Sequence, residues 1–114
     1  MSGLTTHVLD LVAGAPGCNI AVRLFARSNP DTVVAALATD RDGRARLLER
    51  EAMDPGGYRL EFDIGAYFRI ESALAPAPAF LETVVIEFSV LPGVTKLHVP
   101  LLVSPHGYST YRGS

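Results

Sequence analysis

Short β-favouring runs separated by strong turn signals recur along the whole chain, a punctuation that leaves no room for long helices or for alternating βα units. Asn29-Pro30-Asp31 presets the proline torsion for a type I turn, and Asp42-Gly43 is a hairpin signal. Asp54-Pro55-Gly56-Gly57, Pro92-Gly93 and Pro105-His106-Gly107 mark further reversals. Between them strands are predicted near 4–11, 19–28, 32–39, 44–48, 57–63, 81–90, 96–104 and 107–112. One short helix fits 64–74, where Tyr67, Phe68, Ile70 and Leu74 recur at mixed three and four spacing, and Pro76 and Pro78 prevent its extension. The fold class that follows is all-β, a sandwich or barrel with one short helix.

A chain of 114 residues fits one domain, 1–114, with enough length to bury roughly 65% of its unfolded surface. No repeat, low-complexity stretch or linker divides it. The formal charge of −2 and the lack of any Lys/Arg run give no basis for a nucleic-acid or anionic-membrane partner, each of which needs a concentrated basic patch. Proline, glycine or charge interrupts every apolar run short of the ~20 residues a membrane helix needs. Residues Met1 to His7 lack the basic-then-apolar order of a secretory signal, so a soluble, cytoplasmic protein is expected. The lone Cys18 excludes an internal disulfide framework, fits a reducing compartment and reads as an inert thiol.

Alternation assigns faces. In the run 81–90, Val84, Ile86, Phe88 and Val90 share one side and are predicted to be core. From Leu97 to Ser104, the aliphatic set Leu97, Val99, Leu101 and Val103 faces the core, which turns His98 outward together with Lys96. The first strand is less decisive, but it allows His7 to face away from the core. An outer face carrying Leu9, Leu11, Pro100 and Leu102 beside two histidines is too apolar for plain exposure and is expected to meet another subunit. Pro100 fits awkwardly within a strand, because it lacks a ladder donor.

Three residues bear chemistry. His7 and His98 carry imidazoles able to accept a proton from water near neutral pH. Arg44, at the exit of the Asp42-Gly43 turn, offers a planar cation suited to a carbonyl-rich heterocycle or a developing oxyanion. Taken singly each has an ordinary reading: a hydrogen-bonded strand histidine, a solvated arginine after a turn. Asp10 is expected to make local turn hydrogen bonds and His106 to be a turn residue. The three histidines and the cysteine match no zinc spacing, and there is no Gly-x-Ser-x-Gly elbow or phosphate loop, so neither metal nor cofactor is expected.

The final residues Tyr111-Arg112-Gly113-Ser114, preceded by Ser104-Pro105 and Gly107-Tyr108-Ser109-Thr110, resemble the end of the 5-hydroxyisourate hydrolases, the transthyretin-related enzymes of urate breakdown. The resemblance extends to Thr5-Thr6-His7-Val8-Leu9-Asp10, Asp42-Gly43-Arg44, the run from Phe62 to Phe68, and His98-Val99-Pro100-Leu101-Leu102, in the expected order. One departure is that Lys96-Leu97-His98 stands where many members carry His-Tyr-His.

The resemblance implies a transthyretin-like sandwich of two four-stranded sheets, with the first, fourth, seventh and eighth predicted strands in one sheet. It implies hydrolytic opening of 5-hydroxyisourate, a small-molecule substrate, in the channel of a homotetramer built as a dimer of dimers. His7, Arg44, His98 and Ser114 would be catalytic, and His7, Arg44, Tyr111, Arg112 and Gly113 would bind substrate. The competing class is a transthyretin-type carrier of a small aromatic ligand, a group that lacks the His/Arg/His set.

Overall fold

The computed structural model describes residues 3–49, 53–71 and 79–113. Its strands are β1 (Gly3–Asp10), β2 (Ala15–Pro16), β3 (Ala21–Ala26), β4 (Val33–Ala38), β5 (Arg44–Leu48), β6 (Gly56–Asp63), β7 (Thr83–Val90), β8 (Lys96–Ser104) and β9 (Gly107–Thr110), with one helix, α1 (Ile64–Glu71). They form two facing sheets. One has the order β4-β3-β6-β7; the other runs β5-β1-β8-β9, with the two-residue β2 pairing the end of β1 beyond β5. The second sheet is the one predicted from the first, fourth, seventh and eighth runs, and β2 is the strand that periodicity missed, being too short to have a period.

The core lies between the inward-facing sets of the two sheets. Val8, Leu101 and Val103 from one sheet meet Val22, Leu24, Leu60 and Phe62 from the other, all fully buried. On β7, Val84, Ile86 and Val90 are buried and Phe88 is partly so, while Thr83, Val85, Glu87 and Ser89 face out, as the alternation requires.

The turns follow their residues. Thr32 N–H donates to the Asn29 carbonyl at 3.2 Å around Pro30. Val94 N–H donates to the Leu91 carbonyl at 3.2 Å across Pro92-Gly93, with Gly93 at φ +85°, the left-handed torsion a type II turn needs. Helix α1 buries Ile64, Tyr67 and Phe68 on one side, but Ile70, expected to share that apolar face, is 82% exposed. Leu74, Pro76 and Pro78 lie outside the described residues. Asp10 is buried at the end of β1: its Oδ1 accepts from Val12 N–H (2.9 Å) and Ala13 N–H (3.0 Å), and its Oδ2 from the Tyr67 hydroxyl (2.7 Å). The predicted local bonds are present, and the bond to Tyr67 additionally ties α1 to the β1 turn.

Cys18, read from sequence as an inert thiol of the usual buried kind, is exposed. Among the described residues no helix is long and apolar enough to cross a membrane.

Candidate functional site

The outer face of the β5-β1-β8-β9 sheet assembles the predicted residues. On β1, Thr6, Val8 and Asp10 are buried and Thr5, His7 and Leu9 take the other side. On β8, Leu97, Val99, Leu101 and Val103 are buried while His98 turns outward. His7 pairs directly with Arg44 across the antiparallel β1/β5 ladder, and Thr5 pairs with His98 across the parallel β1/β8 ladder. With strands ~4.8 Å apart and residues rising ~3.3 Å, His7 stands about 5 Å from Arg44 and about 8 Å from His98 in Cα position, close enough for the three side chains to meet one small heterocycle.

Arg44 owes its placement to the turn before it. Gly43 adopts φ +76°, and a Cβ there would lie 2.5 Å from the Val8 carbonyl oxygen, so this close approach of the hairpin to β1 requires glycine. Asp40 Oδ1 accepts from the main-chain N–H of Arg44 (3.0 Å) and of Asp42 (2.9 Å), and these bonds with the Arg44 charge hold the Asp40 carboxyl below its ordinary range. Asp40 was not singled out from sequence, although an Asp three residues before Gly in a turn is the available signal.

His98 is gripped from two sides. Thr5 Oγ1 lies 2.8 Å from its Nδ1. Gly113 N–H donates to the His98 carbonyl at 2.7 Å, and a Cβ on Gly113 would lie 2.6 Å from the ring Cδ2, so only glycine fits against this imidazole. Burial lowers the His98 pKa first, and the charges of Arg44, His7 and Lys96 lower it further, with the Thr5 main chain opposing them in part. The net effect favours the neutral ring, the form that accepts a proton.

Pro100 now has an explanation. The pairing His98↔Gly113 continues the same register as Leu101↔Thr110, but the two intervening positions form no bridge. The ladder is interrupted opposite the residue that lacks an N–H, and the Pro100 carbonyl is instead satisfied by the Thr110 hydroxyl at 2.7 Å. Tyr111 and Arg112 fall at the two unbridged positions. Both line a cavity of about 220 Å³ at the sandwich edge with Phe88, Leu97 and Val99. Ser114 lies outside the described residues. A larger opening of about 370 Å³ is lined by Thr5, Leu37, Asp40, Arg44 and Arg46. Neither histidine lines either cavity; both sit on an open face. His106 is exposed in the β8/β9 turn, as expected, and away from this face. Among the described residues no group of His, Cys, Asp or Glu is disposed to hold a metal ion.

Residues 4–113 match the family model described as the HIUase/Transthyretin family. The chain belongs to this family. It is 52% identical, over the full length of both chains, to a 5-hydroxyisourate hydrolase of Caulobacter vibrioides. Among solved structures it is similar to the 5-hydroxyisourate hydrolase of Klebsiella pneumoniae, with 32% identity, TM-score 0.82 and full coverage of both chains. It is also similar to transthyretin from Sparus aurata, with 27% identity and TM-score 0.84, covering 99% of this chain and 97% of that one. The near-equal TM-scores mean that the HIUase/Transthyretin fold does not itself separate enzyme from carrier; the residues on the outer face must do so.

Proposed function

We propose that this chain is a 5-hydroxyisourate hydrolase. Water adds to an acyl carbon of the six-membered ring, the C–N bond breaks, and the departing nitrogen takes a proton. The product is 2-oxo-4-hydroxy-4-carboxy-5-ureidoimidazoline. The observation that carries the reading is the juxtaposition of His98 with His7 and Arg44 on one outward sheet face, in a chain 52% identical to a named hydrolase.

In this reading His98 takes the proton from water, and His7 positions that water or the substrate. Arg44 orients the planar substrate and offsets the negative charge that develops as water attacks. Gly113 binds substrate beside His98, and Ser114 belongs to the proposed catalytic set. Tyr111 and Arg112 enter as substrate-binding residues whose side chains must reach round from the cavity side. Residues 1–114 act as one catalytic domain.

A homotetramer, a dimer of dimers with this face lining a channel, belongs to the same proposal. It is supported by the openness of the histidine face and by the apolar residues on and beside it: Leu9 and Leu102 are partly exposed and Leu11 is 55% exposed. A cytoplasmic location is supported by the single cysteine.

The test is to generate 5-hydroxyisourate with urate oxidase and follow its ultraviolet decay with and without the protein. Faster decay with the protein is expected. A rate equal to spontaneous hydrolysis would overturn the enzyme reading and favour the carrier.

A further inference from the structure

His98 needs more than a favourable proton affinity to act as a base, because an imidazole has two nitrogens and only the unprotonated one accepts. Which nitrogen carries the proton is set by what the other faces. Thr5 occupies the Nδ1 side, with its hydroxyl at 2.8 Å. A threonine hydroxyl can accept the Nδ1–H while its own hydrogen turns elsewhere.

Among the described residues the opposite edge is left open. A Cβ on Gly113 would crowd Cδ2, the carbon bonded to Nε2, and the absence of a side chain there keeps that edge clear. Among the described residues, the charged or titratable groups facing the ring are Arg44 from β5, His7 from β1 and Lys96 from β8, and none of these is a carboxylate that would draw a proton to Nε2.

We propose that Thr5 is the positioning residue of His98: it accepts the Nδ1–H, fixes that tautomer, and so leaves Nε2 as the atom that takes the proton from water. The proton leaves the water oxygen as that oxygen bonds to the acyl carbon, and it resides on Nε2 until the departing ring nitrogen needs it. Thr5 acts through the imidazole. This assignment rests on the hydrolase reading for its catalytic consequence, but the tautomer itself is a property of the resting protein.

The experiment compares wild type with Thr5→Val, which keeps shape and strand propensity but has no hydroxyl, and Thr5→Ser, which restores one. Two readouts are taken: the His98 tautomer by long-range ¹H–¹⁵N NMR, and kcat and KM for 5-hydroxyisourate. Wild type is expected to hold His98 in the Nδ1–H form. Thr5→Val is expected to mix in the Nε2–H form, with kcat down about tenfold, as loss of part of a general-base contribution implies, and KM changed less than twofold. Thr5→Ser should recover both. An Nε2–H form in wild type, an unchanged tautomer in Thr5→Val, or an altered tautomer with unchanged kcat would each overturn the proposal. A wild-type protein that fails to accelerate substrate decay would instead overturn the hydrolase reading, and the tautomer comparison would still decide whether Thr5 sets the protonated nitrogen.

Discussion

Replacing Gly113 by alanine perturbs the site by one methyl group. Its Cβ would lie 2.6 Å from His98 Cδ2 and 3.2 Å from both Cβ and Cγ, so it falls 0.8 Å short of the 3.4 Å at which ordinary contact begins. Either the imidazole rotates or the terminal segment moves away and stretches the 2.7 Å bond from Gly113 N–H to the His98 carbonyl. Rotating the ring about 30° off its rotamer costs ~0.5–1.5 kcal/mol, and displacing a catalytic group by about 1 Å costs on the order of 100-fold in rate. The two effects separate cleanly. Gly113→Ala should lose 30- to 100-fold in kcat by the catalytic argument, while its melting temperature falls by no more than about 4–8 °C. Gly107→Ala is the control, since open space surrounds that position and its backbone torsion is ordinary. The assay is the ultraviolet decay of enzymatically generated 5-hydroxyisourate, paired with thermal unfolding. A Gly113→Ala protein with kcat within twofold of wild type would refute the claim that glycine is needed for the working position of His98.

Four further outcomes follow from the electrostatics. Because burial and nearby cations hold the His98 pKa below 6.5, the base form should persist below that pH, so the acid limb of the kcat profile should fall at lower pH than an unperturbed histidine would give. Removing one of those cations with Lys96→Met should move that limb upward. The same shift stabilises the fold above pH ~6.5, where both folded and unfolded chains hold the ring neutral, and this contribution is lost as pH falls through the depressed folded value; equilibrium unfolding from pH 8 to pH 5 measures it, and stability in His98→Phe should depend less on pH there. On the opposite sheet, Arg23 makes a two-pronged pair with Asp63 at 2.7 and 2.8 Å, and this holds the Asp63 carboxyl below its ordinary range. Both side chains are about a third exposed, so Asp63→Asn should cost only ~0.5–1 kcal/mol at pH 7, a cost that shrinks as the pH falls through the depressed native range and the carboxyl protonates; urea titrations across a falling pH series check this.

Strand alternation was sufficient to turn His98 outward, because Leu97, Val99, Leu101 and Val103 admit only one core-facing set. For β1 it was weaker, since Leu9 and Leu11 share the side of His7, and only pairing with β5 and β8 resolves it. The site could not be read further from sequence because its supporting contacts join distant positions. Nothing local to Gly113 announces that it packs on the ring of His98, and Thr5 looks like any strand threonine until the parallel β1/β8 register sets it beside that ring. Pro100 looked like a defect in a strand; the interruption opposite it shows a ladder that tolerates the missing donor and restarts in register at Gly113. The terminal segment held the largest surprise. Four adjacent residues match one motif, yet Tyr111 and Arg112 line the edge cavity while Gly113 packs against His98, so the motif serves two places. Ile70 misled because an exposed isoleucine at helical spacing is indistinguishable, by period alone, from a buried one.

The central claim is that the outer face carrying His7, Arg44 and His98 performs the hydrolysis. Its most direct test is the first-order decay of 5-hydroxyisourate in the presence of His98→Ala and His7→Ala, each checked by light scattering for the same oligomeric state as wild type. His98→Ala is predicted to lose at least about 100-fold in kcat, as removal of a general base implies, and His7→Ala to lose on the order of 100-fold, as loss of the group that positions water or substrate implies. Full turnover by either variant, in the wild-type assembly, would contradict the account.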